Sequence, residues 1–333
     1  MGRLIIFILV AAGLWMGYWA FGSITLERAL KDWIEQRRSE GWVAEVSDLN
    51  VGGFPNRFDT TLTDIVLADP ETGVAWRAPF FQLLALSYRP NQVIAVLPPE
   101  HTLSTPLQTM TVTSDQTRGS VYLGAETTLP LESATFIADQ LAVVSNAGWR
   151  VNLDQARFAI ELAPVQADTY RIGAELTALD LPESWDRALN PGGLLPSEVE
   201  TLRLDAEIGF TDPLDRRVIE VARPQITDID LRDLSLTWGD VVFQATGSLT
   251  VDALGQPDGE VDIRAVQWQR LLDMAVASGV LNPGLAPTIE RGLNLLAGLS
   301  GREDTLDAPL TFRNGRVSLG PIPLGPAPRI ILR

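Results

Sequence analysis

A chain of 333 residues carries 26 basic against 42 acidic side chains, a net charge of −16 that sets it against phosphate backbones and anionic headgroups. With 46% hydrophobic residues it has the material for a sizeable core, which excludes disorder as its main state. Cysteine is absent, and His101 and Lys31 are the sole histidine and lysine, so disulfides, thiol nucleophiles, cysteine or multi-histidine metal sites and a nucleic-acid partner are not expected.

The chain opens with an uncharged apolar run, Leu4 to Gly22, between Met-Gly-Arg and the charged segment Glu27 to Glu40. A helix of roughly 20 apolar residues crosses a bilayer core, so residues 1–22 are expected to be a transmembrane anchor. A cleaved signal peptide is the competing reading, with Arg3 as its basic region and Ala20-x-Gly22 as a weak processing site. The run exceeds a typical apolar signal region of about 7–15 residues and ends on Trp15, Tyr18, Trp19 and Phe21, which reads as an interfacial belt and favours an uncleaved anchor. Arg3 and the amino terminus outweigh the balanced charges of Glu27 to Glu40, so the amino end is expected in the cytoplasm. The bulk of a single-pass chain then lies in the periplasm of a Gram-negative cell, held at the inner membrane.

Residues 23–41 follow as an amphipathic helix, with Ile24, Leu26, Leu30, Trp33 and Ile34 at helical spacing and Gly41 as its stop. Such a stripe packs on the protein's own core more often than on a bilayer surface.

From Val43 onward the hydrophobic period is two. In Thr201 to Phe210, Leu202, Leu204, Ala206, Ile208 and Phe210 alternate with Thr201, Arg203, Asp205 and Glu207. Val241 to Val251 repeats the pattern with Val241, Phe243, Ala245, Leu249 and Val251, and Arg157 to Leu162, Glu260 to Ala265 and Arg316 to Leu319 follow suit. Turn signals separate such segments at Asp69 to Gly73, Asn146 to Gly148, Trp238 to Asp240, Gly255 to Gly259 and Asn314-Gly315. Strands joined by tight turns, with few helices between them, predict antiparallel meanders rather than parallel βαβ winding. Two β-rich regions, 42–181 and 197–333, are expected on either side of a stretch holding Pro182, Pro191, Gly192, Gly193 and Pro196. Helical spacing returns once, within about 266–300: Trp268, Leu271, Leu272, Ala275 and Val276 form one helix, and Ile289, Leu293, Leu296 and Leu299 another after Pro287. This pair covers a sheet face or plugs an open end. The expected class is mainly β, an apolar helix followed by long amphipathic antiparallel sheets, built as an open curved sheet or a sandwich.

Catalytic signals are sparse. His101 follows Pro98-Pro99-Glu100 in a stretch that reads as a loop, and a single histidine rules out a multi-histidine centre. Asp228, Asp230 and Asp233 form the densest carboxylate cluster, yet strand alternation accounts for the first two. The phase shift to Leu234 after Arg232-Asp233 predicts a β-bulge rather than a calcium loop. Asp59-Thr60-Thr61 lacks the glycine of an aspartic-protease triplet, and Gly52 to Arg57 lacks the Gly-Lys-Ser/Thr of a phosphate loop.

Val51-Gly-Gly-Phe-Pro-Asn-Arg-Phe58, Asp69-Pro-Glu-Thr-Gly-Val-Ala-Trp76, Ala78-Pro79, Tyr88-Arg-Pro90 and the ending Pro309 to Pro326 resemble domain-of-unknown-function family 2125 of Gram-negative envelopes. That resemblance implies an exported, membrane-anchored, β-rich protein and carries no catalytic residue. The anchor and runs such as Ala245 to Ile263 are more distantly similar to AsmA-like, bridge-type envelope proteins, which implies lipid handling by analogy.

Two functions follow as expectations. The first is a tethered protein whose apolar sheet face takes phospholipid or other acyl chains, with Leu202, Leu204, Ile208, Phe210, Val241, Phe243, Leu249 and Val251 facing lipid and the two-sided runs Phe80 to Leu86 and Val93 to Leu97 adding apolar surface. The alternative is a non-catalytic scaffold or assembly factor for envelope complexes, using edges, loops or the tail Gly320 to Pro328 against a protein partner. No catalytic residue, cofactor or metal is expected.

Overall fold

A computed structural model describes every residue except 165, 167, 191, 192, 194, 221, 222, 280, 300, 301 and 333. Pro191 and Gly192 of the expected divide, and the side chain of Leu299, lie outside the described residues. The described chain is mainly β, and its strands pair antiparallel throughout the described residues.

One helix, α1 (Gly2–Ser39), carries both the apolar run and the amphipathic segment without a break. No proline interrupts it, and Arg37 and Arg38 sit in its last turn, where cations complement the exposed carbonyls. Gly41 then takes φ 91° and turns the chain away. Of the amphipathic stripe, Ile34 is buried in the protein's own core against Ala44, Leu62 and Ile65, Leu26 and Leu30 are half-buried, and Ile24 and Trp33 stay exposed.

The chain divides into two compact units, Met1–Leu123 with Phe136–Gly148, and Gly124–Thr135 with Trp149–Arg333. In the first unit α1 is followed by β1 (Val43–Glu45), β2 (Asp48–Gly52), β3 (Arg57–Asp69), β4 (Val74–Leu86), β5 (Arg89–Leu97), β6 (Glu100–Ser104), β7 (Thr109–Thr113) and β8 (Gln116–Leu123), with most of β9 (Leu131–Ser145). The long β3 is its spine: β1 and β2 pair along one edge and β4 along the other, from Asp69↔Val74 to Arg57↔Leu86. β4 forks, its first residues pairing with β6 and its last with β5.

His101 is not in a loop. It lies on β6 opposite Val112, half-buried and edge-on to Trp76 with ring centroids 6.3 Å apart. The prolines before it end β5 and let the strand restart, so their turn signal belongs to the preceding residues.

The second unit strings β10 (Arg150–Leu162), β11 (Thr169–Asp180), β12 (Glu198–Phe210), β13 (Ile226–Trp238), β14 (Val241–Val251), β15 (Pro257–Val266), β16 (Thr305–Arg313), β17 (Arg316–Leu319) and β18 (Ile322–Pro326) into a meander in which each strand pairs with the next. The stretch between 181 and 197 lies inside this unit, and β11 and β12 pair in register on either side of it. At the β16–β17 hairpin, Asn314 and Gly315 take φ 53° and 69°, the pair of positive values a type I′ turn requires. The bulge stands where the phase shift placed it: Asp205 faces Asp233 while Ala206 faces Leu231, leaving Arg232 as the extra residue.

Short helices interrupt the meander at α2 (Glu183–Leu189) and α3 (Arg217–Glu220), before the longer α4 (Trp268–Ala277) and α5 (Ala286–Leu299). α4 and α5 cover one sheet face: Trp268, Ile289, Leu293 and Ala297 close over Ala265, Leu306, Ala308 and Leu319.

Candidate functional site

Strand alternation and register together separate the faces of the second unit. On one face the apolar residues align in rows perpendicular to the strands. One row runs Ile160, Ile172, Ala206, Leu231, and the next Phe158, Ala174, Leu204, Leu234, Ala245, Ile263, Ala308. Two more are Ala156, Leu176, Leu202, Leu236, Phe243, Ala265, Leu306, and Leu162, Tyr170, Ile208, Ile229, Leu249. Four rows two residues apart cover about 20 Å along the strands. The opposite face is a charged ladder, with Arg171 bonded to Asp205 at 2.7 Å, Arg203 to Glu175 at 2.6 Å and Arg232 to Glu207 at 2.5 Å. Arg171 holds the Asp205 carboxyl below its ordinary range by a charge-assisted hydrogen bond. An open recess of about 480 Å³ on this polar side is lined by Asp233, Gln244, Thr246, Asp262, Arg264 and Asp307. Among the described residues, no three carboxylate or imidazole groups stand close enough to share a metal ion.

The apolar face is covered unevenly. Over β15 to β17 lie α4 and α5, and beside them Ala245, Val261 and Phe312 form a buried cluster that the tail residue Ala327 joins. At one strand end Leu195, Val199, Trp238 and Val241 pack beneath residues of α2 and α4, and the Trp238 indole donates to the Pro196 carbonyl at 2.7 Å. At the other end the backbone N–H of Leu214 donates to the buried Tyr170 hydroxyl at 3.1 Å, and burial raises that phenol's pKa. Between these ends, over β11 and β12, Ile172, Ala174, Leu176, Leu202, Leu204 and Ile208 are half-buried, with the small side chain of Ala206 buried among them.

The eight residues expected to face lipid share this face but not its exposure. Leu202, Leu204, Ile208 and Phe210, on β12, are half-buried. Phe243 and Leu249 pack against the Ala245, Val261, Phe312 cluster, Phe243 also against the core beneath α4 and α5. Val241 is fully buried beside Trp238, and Val251 is buried too, so neither offers open apolar surface. Alternation reports which face a side chain takes; what covers that face depends on helices elsewhere in the sequence, α2, α4 and α5.

A second arrangement joins α1 to the first unit. Trp15 and Trp19 donate their indole N–H to the carbonyls of Pro55 and Arg57 at 2.9 and 2.7 Å, and the Tyr18 hydroxyl donates to the Ser87 carbonyl at 2.5 Å. Trp19 also meets Phe54 edge-on and stacks on Phe58. Gly22 leaves room for the Phe58 ring, which a Cβ there would meet at 2.6 Å. These aromatics thus hold protein groups where an interfacial belt was expected. Their spacing on one helical face was the available signal; the partner loop, far along the chain, was not.

A family model described as an uncharacterised protein conserved in bacteria, DUF2125, matches residues 19–328. Neither a curated protein nor a solved structure matches the chain. The match covers both β-rich units and the last turn of the apolar run, and on it the chain belongs to the bacterial family DUF2125.

Proposed function

We propose that this is a non-catalytic, membrane-anchored envelope protein that holds lipid acyl chains on the β11–β12 part of the second unit's apolar face. α1 crosses the inner membrane with its amino end in the cytoplasm, and both β-rich units lie in the periplasm. The observation that carries the reading is the set of apolar rows left half-buried between covered ends, on a chain whose first helix is long and apolar enough to span a bilayer. The donors on Trp15, Tyr18 and Trp19 support a retained anchor, because cleavage at Ala20-x-Gly22 would strip three carbonyls of the first unit of their partners.

The energetics suit transfer or storage. Each methylene moved from water to an apolar surface gains about 0.8 kcal/mol, whereas moving it from bilayer to protein is nearly neutral, so acyl chains exchange with the membrane without a deep trap. Native mass spectrometry of the full-length chain released from mild detergent, with lipid extraction, tests this. Stoichiometric lipid retained by the wild type and lost in Leu204→Asn supports acyl binding. Equal retention in both chains, or none in either, removes it and turns attention to a scaffold role, for which capture of protein partners is the next measurement.

A further inference from the structure

The apolar run is too short to cross a bilayer beneath the first unit, because the unit already grips it. Leu4 to Gly22 spans about 28 Å at 1.5 Å per residue, close to the roughly 30 Å of hydrocarbon it has to cross. Trp15 lies only about 16 Å along the helix from Leu4, and there it is bonded to the Pro55 carbonyl. With Leu4 at the cytoplasmic edge, the Phe54-Pro55 tip falls below the opposite headgroups. We propose that this end of the first unit is inserted in the phospholipid bilayer as a wedge and does not stand above it on a stalk; this rests on α1 crossing the membrane.

The chemistry of that end fits lipid. Phe54, between β2 and β3, and Tyr88, between β4 and β5, are 51% and 57% exposed, and Tyr122, at 42%, is the next-to-last residue of β8 at the same strand end, opposite Gln92. Phenyl and phenol rings belong at the boundary between acyl chains and headgroups. A loop there must also satisfy its own backbone, since an unpaired carbonyl in lipid costs several kcal/mol. Here the carbonyls of Gly53, Pro55, Asn56, Arg57 and Ser87 all accept hydrogen bonds, from Arg57 N–H, Trp15, Ser87 N–H, Trp19 and Tyr18 in turn. Arg57 brings its own counter-charge, Asp59. Three donors come from the anchor itself, so helix and tip are built to enter together.

The cysteine-free chain allows a direct test. Single variants Phe54→Cys, Tyr88→Cys, Leu107→Cys and Val10→Cys of the full chain are spin-labelled and reconstituted in vesicles of phosphatidylethanolamine and phosphatidylglycerol. Collisions with dissolved oxygen and with a water-soluble nickel complex then report depth. Leu107, 92% exposed in the β6–β7 turn at the other end of the unit, is the aqueous reference. The wedge requires oxygen-rich, nickel-poor labels at 10, 54 and 88 and the reverse at 107. A buried label at 10 with nickel access at 54 and 88 equal to that at 107 overturns the wedge and leaves the anchor standing. Nickel access at 10 as well overturns both.

Discussion

At the residue scale the sharpest feature is His101, whose Nδ1 is buried without a hydrogen-bond partner among the described residues. Burial pushes its pKa below the ordinary value near 6.5, with the Pro98 carbonyl opposing. The fold therefore prefers the neutral ring, and the sign follows: this contribution is whole above about pH 6.5 and is lost as the pH falls through the lowered folded value. Urea unfolding of the detergent-solubilised chain should weaken from pH 7.5 to pH 5, and His101→Phe should remove that part of the slope. Trp238 is buried and hydrogen-bonded, so Trp238→Ala should cost about 3–5 kcal/mol in the same assay. Two apolar positions on one face should part company. Phe243→Asp places a carboxylate in a packed cluster and should unfold the second unit, whereas Leu204→Asn, on the half-buried stretch, should cost only about 1 kcal/mol.

At the element scale the meander depends on close backbone approach between β14 and β15. Gly259, at φ 144°, brings its Cα so near the Ser248 carbonyl that a Cβ would sit 2.3 Å from that oxygen. Gly259→Val should open this pairing and cost at least about 2 kcal/mol, seen as faster amide exchange confined to the two strands. Much of this element structure was legible in the sequence. Alternation in Thr201 to Phe210 and Val241 to Val251 defines strands β12 and β14, Asn314-Gly315 a hairpin, and the phase slip at Arg232-Asp233 the bulge. These signals are local, and local backbone geometry answers to them. His101 was misplaced because two prolines signal a break without saying that a strand resumes two residues later. The candidate site was only half legible: alternation places Val241 and Leu204 on one face, but α2 and α4 cover the first and not the second, a matter of long-range packing that no short window encodes.

At the scale of the whole molecule, an acidic chain meets the membrane, on the proposed reading, through apolar and aromatic groups rather than through charge. Its net charge of −16 would hold a free domain away from anionic headgroups, so on that reading attachment falls to α1 and the aromatic tip bonded to it. Association should accordingly persist at high salt: membranes washed in 1 M sodium chloride should keep the full-length chain, a salt level at which electrostatic contacts are screened beyond roughly 3 Å. The central claim, that the open part of the second unit's apolar face holds acyl chains, is tested most directly by site-specific photo-crosslinking in intact cells. A benzophenone side chain at Leu204 points to the apolar rows, and one at the adjacent Arg203 points to the charged ladder. Lipid adducts at 204 and none at 203, identified by mass spectrometry, are the expected result. No lipid at 204, or equal adducts at both positions, would contradict the account.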